Sequence, residues 1–454
     1  MAVPVLLFCT VLFLAPRKSA DHSDTFARSQ PFSRSDYERG GGKINGASSS
    51  SSSADERWAV VVDAGSTGSR VHIFKFTSGK KGLLELQFDK FDQLKPGLSS
   101  YADDPSGAAN SLKPLLELAV STVPTIHHDS TPIMIGATAG LRLLPDGKAD
   151  IILAEVRTWL RKYPFKFQDD DVKILSGVDE GAFAWLTLNY LLGHLGKPHS
   201  ETVAAIDLGG GSVQEAFAMS DVEARLAPKA DYVTHLRGGG QEYSVYVYSY
   251  LGYGLMAGRA AVLQEDPNGP EDDTHPCIHS GHTGEYEYGG KKFVAVGHED
   301  GASHGQCAAT VKSALKSGNR CGAPQKQCSF SGAWAGPRIP SVFYVSSYFW
   351  DRAADAGLVN DEKSIQAKVQ AGHFGKAAEK ACPLDVTSLE KTFPRVQEVH
   401  RPFFCLDLTY AFTLLTHGFK IPREKEITLV KKVEYKGETV EAAWPLGAAI
   451  NMLN

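Results

Sequence analysis

The sequence predicts an α/β protein with mixed sheets, built from two related halves. Three observations carry that expectation. Short apolar strands alternate with segments of helical spacing, two of those strands end on an aspartate that runs into glycines, and a domain's length of chain separates the two. The first, Trp58-Ala-Val-Val-Val-Asp63, is a continuous apolar strand of the kind found in the middle of a sheet. Val71 to Phe76 alternates with period two, Ser106 to Val123 and Ala149 to Tyr163 carry helical spacing, and Pro132 to Gly136 is another short buried strand. Thr202-Val-Ala-Ala-Ile-Asp207 then repeats the opening pattern, and Val213 to Met219 alternates after it. The apolar run Trp185 to Leu195 has helical spacing and reads as core, not membrane.

The chain has 454 residues, 43% hydrophobic and 22% charged, which leaves room for two or three domains. A net charge of −5 argues against a broad electrostatic grip on nucleic acid. Nothing in the sequence signals a protein partner. Residues 1–20 stand apart, with an apolar run over 2–15 followed by Pro16-Arg17-Lys18. The run is short for a bilayer span of about 20 residues and suits a signal peptide. An uncleaved signal-anchor, and hence membrane attachment, is the competing reading. Either places the protein in the secretory pathway, outside the cell or in the Golgi lumen. Residues 21–56 are Ser/Gly-rich and read as a flexible stem. Beyond Cys9 in the leader, six cysteines follow, all in the second half. An even number in an exported chain suggests disulfides. Pairing neighbours (277 with 307, 321 with 328, 382 with 405) closes the shortest loops, although other connectivities remain open. His275, Cys277, His279 and His282 cluster, but in a Gly-rich loop context that does not favour zinc, and His127-His128 reads as a solvated loop.

The chemistry lies at the two aspartate turns. One reads Asp63-Ala64-Gly65-Ser66-Thr67-Gly68-Ser69-Arg70, the other Asp207-Leu208-Gly209-Gly210-Gly211-Ser212-Val213-Gln214. Each passes from strand to strand. A Walker loop or a dinucleotide fold would pass into a helix, and the Gly-Lys-Ser/Thr signature is absent. Each loop is therefore expected to be a hairpin turn whose amides form an anion nest, with hydroxyls from Ser66, Thr67 and Ser212 as further donors. Two nests facing each other make a phosphate clamp. Asp63 and Asp207 would repel that phosphate unless a divalent cation, calcium or magnesium, sat between, held through water.

Four segments in order resemble the conserved regions of the ecto-apyrase (nucleoside triphosphate diphosphohydrolase) family: Asp63 to Arg70, Ala137-Thr-Ala-Gly-Leu-Arg142, Ser176-Gly-Val-Asp-Glu-Gly-Ala-Phe-Ala-Trp185, and Asp207 to Gln214. A weaker fifth is Phe343 to Arg352, and Trp444-Pro-Leu-Gly447 resembles the family's C-terminal signature. The resemblance runs from Trp58 to the end. It is nearest to the plant members, through Tyr248-Ser-Tyr-Leu-Gly-Tyr-Gly254 and Glu441-Ala-Ala-Trp-Pro-Leu-Gly447. It implies two ribonuclease-H-like lobes of the actin, sugar-kinase and heat-shock ATPase superfamily, with the nucleotide in the cleft between them. Lobe I would comprise residues 57–175 plus 424–454, and lobe II residues 176–423.

The resemblance also implies roles. Glu180 would be the base that takes a proton from the attacking water, where the residues alone leave it equally a helix-dipole partner. Ser212 and Gln214 would hold that water. The first turn, Thr138 and Arg142 would hold the terminal phosphate, although Arg142 reads equally as a salt-bridge partner and Arg70 more so. Tyr348 and Tyr410 would stack on the two faces of the base, which predicts broad base specificity, with two core tyrosines as the alternative. The substrates implied are nucleoside tri- and diphosphates. Rival readings are a diphosphatase of the secretory lumen that serves glycosylation, a kinase of the same superfamily, and a nucleotide-binding module without turnover.

Overall fold

In the computed structural model, the opening apolar run is strand β1 (Arg57–Ala64). A glycine turn joins it to antiparallel β2 (Ser69–Ser78), which pairs in turn with β3 (Leu84–Leu94). β4 (Ile133–Ala137), buried along its whole length, and β5 (Val172–Ile174) then add in parallel. The sheet order is β3-β2-β1-β4-β5. Unbroken apolar runs such as β1 and β4 suit the middle of this sheet, where both faces are covered. The helical stretch from Ser106 divides at Leu112 into Pro105–Ser111 and Lys113–Thr122, with a proline in the first turn of each. Helix Lys148–Leu160 follows the expected spacing. His128, expected in a solvated loop, is buried, with Nε2 against the Val123 carbonyl at 2.9 Å.

The second sheet repeats this plan with additions. β6 (Ala204–Leu208) and β7 (Ser212–Met219) form an antiparallel pair, extended by β8 (Val233–Gly238) and β9 (Gln241–Leu251). A separate hairpin, β10 (Thr283–Tyr288) and β11 (Lys291–Val296), interrupts the order. β12 (Phe343–Ser347), β13 (Gln366–Gln370) and β14 (Glu426–Val430) complete the order β13-β14-β12-β6-β7-β9-β8. Its core, β9-β7-β6-β12-β14, matches the first sheet in direction: two antiparallel pairings, then two parallel ones. The aspartates occupy matching places, Asp63 opposite Arg70 and Gly136, Asp207 opposite Gln214 and Ser346. The expected boundary at residue 424 falls just ahead of β14, a strand of this second sheet. A small hairpin, β15 (Lys432–Tyr435) and β16 (Glu438–Glu441), precedes the last helix.

Two helices separate the sheets. Helix Gly177–Leu191 packs on β7 and β9, and helix Trp444–Leu453 packs on β1 and on the first helix. Enclosure on every side explains why the first is buried without a break from Gly181 to Leu191. Disulfides close the second half at 277–307, 321–328 and 382–405, the neighbour pairing. The structure describes residues 56–65, 68–79, 83–265, 272–323 and 327–454. The leader, all of the stem except Glu56, and both Ser66 and Thr67 lie outside the described residues. Among the described residues, no helix is long and apolar enough to cross a membrane.

Candidate active site

Both aspartate turns open into one cavity of about 290 Å³. In the first, the Gly65 amide donates to the Gly68 carbonyl (2.9 Å); in the second, the Gly209 amide donates to the Ser212 carbonyl (3.0 Å). The second turn is tied down from behind. The amides of Leu255, Met256 and Ala257, at the start of a helix, donate to the carbonyls of Gly209 and Gly210 at 2.9–3.0 Å. A planar peptide points its N–H opposite its carbonyl, so the amides of Gly210 and Gly211 turn toward the cavity that these residues line. Gly254 lets the helix start approach so closely: a Cβ there would lie 2.4 Å from the Ser212 nitrogen.

The carboxylates have different surroundings. Asp63 accepts a hydrogen bond from Arg70 Nη1 (3.1 Å) on Oδ2, while its buried Oδ1 has no partner among the described residues. Asp207 Oδ1 accepts from the hydroxyls of Ser346 (3.2 Å) and Ser347 (2.5 Å). Burial pushes both carboxyls above their usual range; Arg70 opposes it at Asp63, and the two serines oppose it at Asp207. A divalent cation fits this donor set. The orphaned Asp63 oxygen, Asp207 and Glu180 all face the cavity, and every donor is a hard oxygen. Among the described residues, no three acidic, histidine or cysteine side chains converge tightly enough to ligate an ion by themselves. Such an ion would need phosphate and water to complete its shell.

Glu180 stands in the first turn of helix Gly177–Leu191, which Ser176 caps by accepting from the Asp179 amide (3.0 Å). Gly177 and Gly181 flank it because the helix start presses onto the sheet: Cβ atoms there would lie 2.2 Å from Ser249 Oγ and 2.8 Å from Val247. The Glu180 carboxylate accepts from Arg142 Nη2 (2.5 Å) and from Gln214 Nε2 (3.3 Å). Gln214 Nε2 also lies 2.8 Å from Ser212 Oγ and 3.0 Å from Ser249 Oγ. Burial pushes Glu180 up to about 8, against the pull of Arg142 and with the repulsion of Asp207 and Asp63.

The cavity therefore gathers Asp63, Gly65, Arg70, Thr138, Glu180, Asp207, Gly209, Gly210, Gly211, Ser212 and Tyr348. Gln214 and Arg142 bind Glu180 from its side. Ala64 offers its carbonyl to the Thr138 amide (3.3 Å), Gly68 closes the first turn, and Ser69 is buried in β2. Tyr410 is not brought to the cavity. It is 1% exposed, and its hydroxyl donates to the Tyr253 carbonyl (2.7 Å), so both ring faces are packed in the core. Several lining residues were given no role from sequence, among them His72, Ser346, Ser347, Asp351, Lys431 and Glu441. Ser249 was missed too; its signal is a small polar residue in the otherwise aromatic run Tyr246-Val-Tyr-Ser-Tyr250. The histidines near Cys277 serve the backbone. His275 Nε2 meets the Val262 carbonyl, and His279 lies between the Leu384 carbonyl and the Cys405 amide.

Residues 49–454 match the model of the GDA1/CD39 (nucleoside phosphatase) family. Probable apyrase 1 of Oryza sativa subsp. japonica is 43% identical over 99% of this chain and 92% of its own length. Apyrase 1 of Arabidopsis thaliana is 43% identical over 89% and 87%, and human ectonucleoside triphosphate diphosphohydrolase 6 is 38% identical over 87% and 77%. Among solved structures, a nucleoside triphosphate hydrolase from Neospora caninum superposes with a TM-score of 0.60 at 13% identity, covering 87% of this chain and 92% of that one. A Ppx/GppA family member from Aquifex aeolicus reaches 0.50 at 14% identity, covering 88% and 98%. These two share the fold alone. With the family model spanning nearly all of the folded chain and plant apyrases aligned along most of it, the chain belongs to the GDA1/CD39 nucleoside phosphatase family.

Proposed function

We propose that the protein is an apyrase, hydrolysing the terminal phosphoanhydride bond of nucleoside tri- and diphosphates to release phosphate and leave the monophosphate. One observation carries the reading: two glycine turns and a set of carboxylates that includes Asp63, Asp207 and Glu180 face a single cavity, and Glu180 is gripped by Arg142 and Gln214. The amides of the two turns and Thr138 bind the phosphate chain. Ser212 and Gln214 hold a water in line with the terminal phosphorus, and Glu180 takes its proton as the new P–O bond forms. The bridging P–O bond breaks toward the departing nucleotide. General-base help of this kind is worth roughly 10²–10⁴-fold, and positioning and charge supply much of the rest. A divalent cation, calcium or magnesium, held through water by Asp63 and Asp207, would neutralise the phosphate oxygens. Tyr348 offers one aromatic face to the base.

On this reading residues 57–175 with the C-terminal helix would form lobe I and residues 176–430 lobe II, a division that the pairing of β14 with β12 supports. Three disulfides support an oxidising compartment, and the N-terminal apolar segment would direct the chain there as a signal peptide or membrane anchor. Glu180→Gln tests the mechanism. It keeps the hydrogen bond from Arg142 but cannot accept the proton. Nucleotide affinity should hold while turnover falls by at least about 100-fold; turnover near wild type removes Glu180 from the reaction.

A further inference from the structure

A row of polar residues crosses the second sheet at the cavity, one from each strand. Ser346 on β12 lies opposite Asp207 on β6, Asp207 opposite Gln214 on β7, and Gln214 opposite Ser249 on β9. Residues directly opposite in an antiparallel pair have Cβ atoms roughly 4.5–5.5 Å apart, so Gln214 can reach both of its neighbours. Ser249 ends the row, between Tyr248 and Tyr250. Gly177, at the start of the helix that carries Glu180, makes room for its hydroxyl. A Cβ on Gly177 would lie 2.2 Å from Ser249 Oγ and 3.0 Å from Arg142 Nη1. The bare glycine therefore lets Arg142, Glu180, Gln214 and Ser249 close into one hydrogen-bonded network.

Gln214 is the centre of that network and is buried. Its Nε2 lies 2.8 Å from Ser212 Oγ, 3.0 Å from Ser249 Oγ and 3.3 Å from Glu180 Oε2. An amide nitrogen has two hydrogens to offer these three oxygens. Reversing the amide would set its oxygen in place of the nitrogen, 3.3 Å from the Glu180 carboxylate, where the two repel. With one hydrogen committed to Ser249, the other is left between Ser212 and Glu180, the two groups that handle the water. Without the Ser249 hydroxyl, the carboxamide loses one of its two short contacts and is free to turn about its last bond.

We propose that Ser249 is a positioning residue for hydrolysis: it accepts one hydrogen of the Gln214 amide and so fixes how that amide meets Ser212, Glu180 and the attacking water. Ser249 is not among the residues that line the cavity, so it acts through Gln214 and not on the substrate. This rests on the apyrase reading and adds to it the group that holds the water-binding glutamine in place.

The test is a double-mutant cycle on kcat and KM for ATP and ADP, with wild type, Ser249→Ala, Gln214→Ala and the pair. Ser249→Ala should lower kcat about fivefold, the worth of one hydrogen bond, with KM within about twofold. In the Gln214→Ala background the same change should alter kcat by less than about twofold, because its partner is gone. An unchanged kcat in Ser249→Ala overturns the proposal. So does an equal loss in both backgrounds, which would mean that the hydroxyl serves β9 and not Gln214. A second readout needs no turnover. In protein labelled with 15N-glutamine, the side-chain amide pair of Gln214 is identified by its loss in Gln214→Ala. Ser249→Ala should shift the proton resonances of that pair, and an unmoved pair overturns the proposal. A wild-type protein that releases no phosphate would count against the apyrase reading and leave this link measurable.

Discussion

Replacing Arg142 with alanine should move the acid limb of the kcat/KM profile, not merely lower the rate. Burial holds the Glu180 carboxyl up at about 8, and the Arg142 guanidinium, 2.5 Å away, is the chief force pulling it down. Both side chains are largely shielded, at 14% and 12% exposure. Breaking a buried ion pair by removing one partner costs about 3–5 kcal/mol. Their partial exposure argues for the low end, about 3 kcal/mol, which corresponds to about two pKa units. The base must be ionised to act, and kcat/KM reports the ionisation of the free enzyme. For wild type the limb should lie near pH 8; in Arg142→Ala it should rise by about two units. At pH 7.5 the ionised fraction then drops from about a quarter to under about 1%, and activity should recover as pH is raised. The assay is initial phosphate release at low substrate across pH 6 to 10. A uniform loss at every pH, with the limb unmoved, would refute the reasoning and leave Arg142 as a phosphate ligand only.

Other consequences follow from packing and burial. Gly447→Ala should lower Tm by several degrees, because the new methyl would fall 2.2 Å from the Phe183 carbonyl and push apart the two helices between the sheets. Overpacking of this kind costs about 1–3 kcal/mol. An unchanged melting curve would show that the contact relaxes freely. Glu215, on β7, is buried with no ion-pair partner among the described residues, and burial pushes its carboxyl from 4.5 up to about 8. The folded state keeps a proton there that the unfolded chain releases above 4.5, so this contribution to stability is whole below that value and lost as pH rises through about 8. Glu215→Gln should therefore flatten the fall in Tm between those limits, with a gain at pH 8 and little change at pH 4.5. An equal shift at both would contradict the assignment.

What the sequence made legible is what local chemistry dictates. An apolar strand ending in Asp-x-Gly is readable at Asp63 and Asp207, because glycine turns and buried strands leave local marks. Ser176 as a helix cap sets Glu180 in a first turn by spacing alone. The cysteines form the neighbour pairing, which loop length favoured without excluding the others. Contacts that depend on sheet register did not show. Ser249 meets Gln214 because β7 and β9 pair at those positions, 35 residues apart. His72 and Glu441 come to the cavity from strands far apart in the chain, and although Glu441 opens the C-terminal segment that carries the resemblance, nothing local says that either faces the site. The resemblance puts Tyr410 at the base, but its ring is packed in the core against Gly258, where a Cβ would lie 2.5 Å from it. β14 joins the second sheet because its parallel neighbour is β12, and a linear boundary cannot express that.

The most direct measurement is phosphate release from ATP and from ADP by the purified protein, with calcium, with magnesium and with chelator. The account predicts release from both substrates that chelator abolishes and a divalent cation restores. Release that persists in chelator would contradict the cation held by Asp63 and Asp207, and absence of release from either nucleotide under any condition would contradict the apyrase itself.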